Sequence, residues 1–198
     1  AETSYGELVR THKRDKGVGL AIQQIGKVHE QKGRKREARA CYDRVISDYG
    51  SEPGAVMWSH QSCARLALSE GDIQEAMQHV HAIRTRFSSE KDTPLSLERL
   101  AKVYAKLGQK SDARTLFQES LALSQKAKDY SMQAWNYKAM ARASMLDGHY
   151  EEAQAQVDAL IQTCHGQKDW GLALSYLADD IVPAGRADQA ILICQKAL

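Results

Sequence analysis

Five glycines, Gly33, Gly71, Gly108, Gly148 and Gly185, divide the chain at intervals of 38, 37, 40 and 37 residues. A near-constant spacing in this range is how a stack of similar supersecondary units is written in sequence, each unit burying its apolar face only against its neighbours. The stretches around these glycines are cousins: QKGRKREARACY, SEGDIQEAMQHV, KLGQKSDARTLF, LDGHYEEAQAQV and PAGRADQAILIC.

Aligned on the glycines, the units agree column by column. Five residues after the glycine stands alanine (Ala38, Ala76, Ala113, Ala153, Ala190), and seven before it a small residue (Gly26, Ala64, Ala101, Ala141, Ala178). Small residues at both places allow two antiparallel helices to approach closely. Eight before are Ile25, Cys63, Leu100, Met140 and Leu177; eleven before, Ile22, His60, Leu97, Tyr137 and Leu174; nine after, Tyr42, Val80, Phe117, Val157 and Cys194. Offsets of three and four put one apolar stripe on each of two helices. The glycine between them supplies the left-handed cap that ends the first helix. The expected fold class is therefore all-α, a right-handed superhelical solenoid of antiparallel helix pairs with about 11 helices. Its repeats run over 18–53, 54–92, 93–129, 130–167 and 168–198 in a single domain, with the loops DYGSEPGA (48–55) and SSEKDTP (88–94) joining units. In residues 1–17, Tyr5 and Leu8 have the spacing of a second helix without its first, which reads as the remnant of an upstream repeat or as a capping helix.

Composition narrows the function classes. Hydrophobic residues make up 43% and Pro only 3 of 198 residues, as in an ordered domain. With 27 Lys+Arg against 25 Asp+Glu the charge is too balanced for nucleic acid to be the partner. No apolar run approaches the ~20 residues that span a bilayer, so no membrane insertion is expected. Four cysteines without a C-x-x-C pair read as reduced, buried thiols. They favour a cytoplasmic location, with a periplasmic or cell-envelope one as the alternative.

The small residue of the first helix, the turn glycine, the alanine and the bulky residue of the second helix, as in Gly26-Gly33-Ala38-Tyr42 and Ala101-Gly108-Ala113-Phe117, resemble the tetratricopeptide repeat (TPR) family. The likeness covers nearly the whole chain. The period exceeds the family's usual one, and Pro53 and Pro94 are the nearest equivalents of its terminal proline. The resemblance implies a non-enzymatic scaffold for protein–protein interaction, with the first helices of successive repeats lining a concave groove.

One column bears on that groove. Six residues before the glycines stand Lys27, Arg65, Lys102, Arg142 and then Asp179, with Arg99, Lys106 and Lys138 on neighbouring turns. In the family's arrangement four of these would form a basic ladder drawing an acidic protein or peptide segment. Gln23, Gln61 and Asn136 are the expected donors to its backbone. Thirteen before the glycines come Leu20, Trp58, Leu95, Trp135 and Leu172. Aromatic residues at helical spacing ordinarily pack in a core; if Trp58 and Trp135 reach the groove instead, they become anchors. The chaperone-tail clamp known in some members is not present, because its asparagines are replaced: Gln23, Lys27 and Ser62 stand at the matching places, or Gln61, Arg65 and Arg99 one repeat later.

No phosphate loop or nucleophile motif is visible. His60, Cys63, His79 and His81 make the nearest approach to a metal cluster, but His79 and His81 point opposite ways and no fourth ligand is evident, so neither metal nor cofactor is expected. Two further expectations concern the rest of a larger assembly: self-association through the C-terminal end at Leu198, and, as the alternative function, a peptide- or ligand-sensing portion of a multidomain regulator.

Overall fold

The computed structural model describes residues 15–182 together with Gly185, Asp188, Leu192 and Gln195. Among the described residues there are nine helices and no strand. They are α1 (Val18–Gln31), α2 (Lys35–Asp48), α3 (Pro53–Glu70), α4 (Ile73–Arg86), α5 (Thr93–Lys106), α6 (Lys110–Lys126), α7 (Tyr130–Leu146), α8 (Tyr150–Cys164) and α9 (Trp170–Ile181). The expected helix around Tyr5 and Leu8, and the second helix of the last unit with Ala190, Cys194 and Leu198, lie outside the described residues.

The glycine register is realised in the backbone. Gly33, Gly71, Gly108, Gly148 and Gly185 all have φ between +73° and +83°. This left-handed region is costly for residues with a Cβ, which is why glycine holds the place. At four of these turns the next residue's N–H bonds back to the carbonyl five residues earlier: Arg34 to His29, Asp72 to Ala67, Gln109 to Tyr104 and His149 to Ser144, at 2.8–3.0 Å. That bond is the signature of a Schellman cap, and it satisfies one of the carbonyls a helix end leaves orphaned.

The linkers are shorter than the sequence suggests. Pro53, Gly54 and Ala55 belong to α3, and Thr93 and Pro94 to α5. Proline suits the first turn of a helix, where its missing N–H would have had no partner anyway, so Pro53 starts a helix instead of prolonging a loop.

The chain divides into two compact units, Ala1–Ser96 and Leu97–Leu198. In the first, α1 packs on α2 and α3 on α4, while α3 also touches both α1 and α2. In the second, α7 packs on α8, and α9 touches both of them. Within their units, α3 and α9 thus each wedge against the preceding pair. The small columns make this possible: Ala38, Ala64, Ala76, Ala101, Ala113, Ala141 and Ala153 are buried, as are Ile22, Leu97, Leu100, Leu174 and Leu177.

Candidate functional site

The residues of the basic column sit on the first helices, but most of them carry a carboxylate already. In the first unit Arg65 of α3 forms a forked pair with Glu30 of α1, its Nη2 donating to Oε2 at 2.7 Å. Glu30 also accepts from the Tyr42 hydroxyl at 3.0 Å. Lys27 places its ammonium 5.9 Å from the centroid of the Trp58 ring. In the second unit Lys102 pairs with buried Glu98 one turn before it, and Lys138 and Arg142 of α7 share Asp180 of α9, the latter at 3.3 Å. Arg99 is exposed on α5. The cations therefore link one first helix to the next as well as presenting charge.

The three amides behave differently from the expectation of open donors. Gln23, Gln61 and Asn136 are all buried. Asn136 donates to the Met132 carbonyl at 2.9 Å, and Gln23 accepts from Gln24 at 3.1 Å. For Gln23 and Gln61 burial follows from register, each lying three residues before the small packing column, at Gly26 and Ala64; Asn136 lies one turn before Met140 of the apolar column eight before the glycine.

The apolar column thirteen before the glycine turns out to be surface lining. Leu20 and Leu172 are exposed by 46% and 48%, and Leu95, Trp58 and Trp135 are half-buried. Trp135 meets the exposed ring of Tyr176 with centroids 5.8 Å apart. Within the second unit this makes an apolar ledge of Trp135, Leu172 and Tyr176 on the same two helices that carry Lys138, Arg142 and Asp180.

Residues 21–47 and 95–127 each match a family model described as tetratricopeptide repeat. These two segments are tetratricopeptide repeats. No curated protein matches it. TPR units are interaction modules built for protein partners, and no helix among the described residues is long and apolar enough to cross a membrane.

Two features of this TPR chain escaped the sequence reading. The first is a crevice of about 680 Å³ in the second unit, bounded by α5, α6, α7, the start of α8 and Asp180 of α9. Lys102, Lys106, Lys138 and Arg142 from the first helices share it with Lys110 and Arg114 of α6. The second is a repeated ion pair between consecutive second helices. Arg39, six after its glycine, reaches Glu75, four after the next one, and Arg114 reaches Glu152 in the same register at 2.6 and 3.0 Å. Aligning the acidic residues as well as the basic ones would have revealed it.

Of the histidines and cysteines considered as ligands, His60 and His79 meet directly, Nδ1 to Nδ1 at 2.9 Å, which leaves no space for an ion between them. Cys63 is buried and directs its thiol to Asp43 at 3.7 Å. Burial pushes that thiol's pKa up, away from the thiolate a metal would need. Among the described residues no three histidine, cysteine or acidic side chains converge.

Proposed function

We propose that this TPR chain is a non-enzymatic scaffold that holds an acidic segment of a protein partner against its first helices, in the groove such repeats enclose when they stack as one domain. The observation that carries this reading is the apolar column: five large side chains at one register position, Leu20, Trp58, Leu95, Trp135 and Leu172, none of them fully buried. Leaving a column of large apolar side chains open to water is unfavourable, and such surface marks an interface. The cations beside it give the partner's sign. In this reading Lys27, Arg65, Arg99, Lys102, Lys138 and Arg142 orient an anionic segment, while Trp58 and Trp135 anchor it. Gln23, Gln61 and Asn136 set the packing behind that face.

The ion pairs shape the test. Charge reversal at Arg65 or Arg142 would place a carboxylate beside Glu30 or Asp180 and threaten the fold, so neutralisation is the cleaner change. Arg65→Gln with Arg99→Gln and Arg142→Gln leaves Glu30 its bond from Tyr42 and Asp180 its bond from Lys138. Against a partner captured by the wild-type chain, the triple variant is expected to lose affinity and to show a shallower salt dependence, with an unchanged circular dichroism spectrum. Equal affinity and equal salt dependence would exclude the acidic-segment reading.

A further inference from the structure

The crevice of the second unit has a specific origin. In the first unit Leu66, five before its glycine, is buried in a cluster with Ala38 and Tyr42 of the preceding second helix and with Cys63. The same register position of α7 holds Ala143, and the residues it faces, Ala113 and Phe117 of α6, stand at the positions of Ala38 and Tyr42. Val28 and Val103 occupy the position in two other repeats, so Ala143 is the smallest apolar residue found there. Where a leucine plugs the joint between repeats in one unit, an alanine leaves it open in the other, and Ala113, Phe117, Ala139, Met140 and Ala143 line the gap.

Its charge is as uneven as its shape. Six cations line it, Lys102, Lys106, Lys110, Arg114, Lys138 and Arg142, against three carboxylates, Asp147, Glu152 and Asp180. Lys110 pairs with Asp147 at 2.6 Å and Arg114 with Glu152, and Glu98 holds Lys102 from outside the lining. Lys106 has no ion-pair partner among the described residues. A concavity of a few hundred cubic ångströms with an apolar floor and a few charged groups is the form of a small-molecule site, not of a flat protein interface.

We propose that this crevice is a binding site for a small amphipathic organic anion: an apolar body that fills the space over Phe117, Met140 and Ala143, and one carboxylate, sulfonate or phosphate group held by Lys106 with Lys102 and Arg142. The site shares Lys102 and Arg142 with the partner-binding face proposed above, but its apolar floor is distinct from the column of Leu20, Trp58, Leu95, Trp135 and Leu172.

Anilinonaphthalenesulfonate and phenylnaphthylamine are suitable probes, having the same aromatic body with and without the anionic group. The whole chain is titrated with each, followed by fluorescence. The sulfonate is expected to bind saturably at one site per chain and about tenfold more tightly than the neutral probe. Ala143→Leu, which copies Leu66, fills the floor and abolishes binding of both. Lys106→Glu, at an exposed position where folding is not at stake, weakens the sulfonate about tenfold and leaves the neutral probe unchanged. Unsaturable binding, equal affinity for the two probes, or sulfonate binding indifferent to Lys106→Glu would overturn the proposal. So would displacement of the sulfonate by an acidic peptide that binds Ala143→Leu as well as wild type, since the charge would then serve the protein-binding face. The scaffold reading stands or falls separately, on capture of a partner by Ala143→Leu.

Discussion

At the scale of single residues, the most constrained position is Gly26. Four of the five repeats have alanine in its column, yet a Cβ at Gly26 would lie 2.5 Å from Cε1 of Tyr42, which is fully buried. Nine after the glycine, Val80 and Val157 stand where the first repeat has Tyr42, and Phe117 goes with Ala101 in the third, so it is the close approach of the Tyr42 ring to Gly26, and not ring size alone, that leaves no space for a Cβ. Gly26→Ala is therefore expected to cost about 1–2 kcal/mol of stability by overpacking, although alanine is the better helix former. In a Tyr42→Val background the same substitution should cost nothing, and a double-mutant cycle in urea measures the coupling.

A second residue-scale expectation concerns His60 and His79. Burial, then the neighbouring His79 and Arg86, pull the His60 pKa down from 6.5 to about 4. Burial also lowers that of His79, against the pull of Glu75 and Asp43 and with that of Arg39. The unfolded chain binds these protons more readily than the folded one, so stability is present in full above pH 6.5 and is lost as pH falls toward about 4. For His60 alone the loss between pH 7.5 and pH 5 is on the order of 2 kcal/mol. His60→Leu, which restores the residue type of Leu97 and Leu174 in that column, should flatten the dependence in denaturant melts at the two pH values.

At the scale of helices and turns, much was legible because the glycine and the alanine columns carry backbone geometry: a left-handed cap and a close approach each admit few residue types. Whether Pro53 closes a loop or opens a helix was not legible in that way, since proline suits both. Burial of Asn136 and Gln23 escaped for a related reason, as an amide is equally at home on a surface or satisfied inside. Ion pairs such as Arg65 with Glu30 and Arg39 with Glu75 join residues more than thirty apart. They emerge only when acidic and basic columns are aligned across repeats. The crevice depends on one methyl-for-isobutyl exchange, Ala143 against Leu66, which apolar patterning treats as the same letter.

Two non-glycine residues, Lys128 and Asp169, also take the left-handed conformation, and the first of them closes a helix between two repeats. At the end of α6 the left-handed position is held by Lys128, φ +55°, with the Asp129 N–H bonding back to the Ser124 carbonyl at 2.9 Å. This is the geometry that glycine provides at the turns within the repeats. Lys128→Gly should raise stability by about 0.5–1 kcal/mol in thermal or urea melts, the relief of Cβ strain exceeding the added freedom of the unfolded chain. The adjacent cap works in the other direction: Asp129 accepts from the Met132 N–H at 3.0 Å, and Asp129→Ala should cost about 1 kcal/mol.

At the scale of the whole molecule, the chain is a set of near-equivalent helix pairs that differ in what they leave open. Among the described residues the small columns are buried, so the differences fall on the remaining surface. In one unit Lys27 stands over Trp58 while Arg65 pairs with Glu30, and in the other Trp135 meets Tyr176 while Lys138 and Arg142 pair with Asp180. A scaffold needs such repetition: a rigid frame with anchors at a fixed period, able to hold an extended segment at several points.

The most direct test of this account removes the anchors and leaves the charges. Wild-type chain and a Trp58→Ala/Trp135→Ala variant are compared for binding to the partner that the wild type captures, with circular dichroism verifying that both fold. The account predicts that the variant loses the partner, at least about tenfold in affinity, while its helical content is unchanged. Binding of the same partner with undiminished affinity would show that the column of Leu20, Trp58, Leu95, Trp135 and Leu172 is not the surface this TPR chain uses.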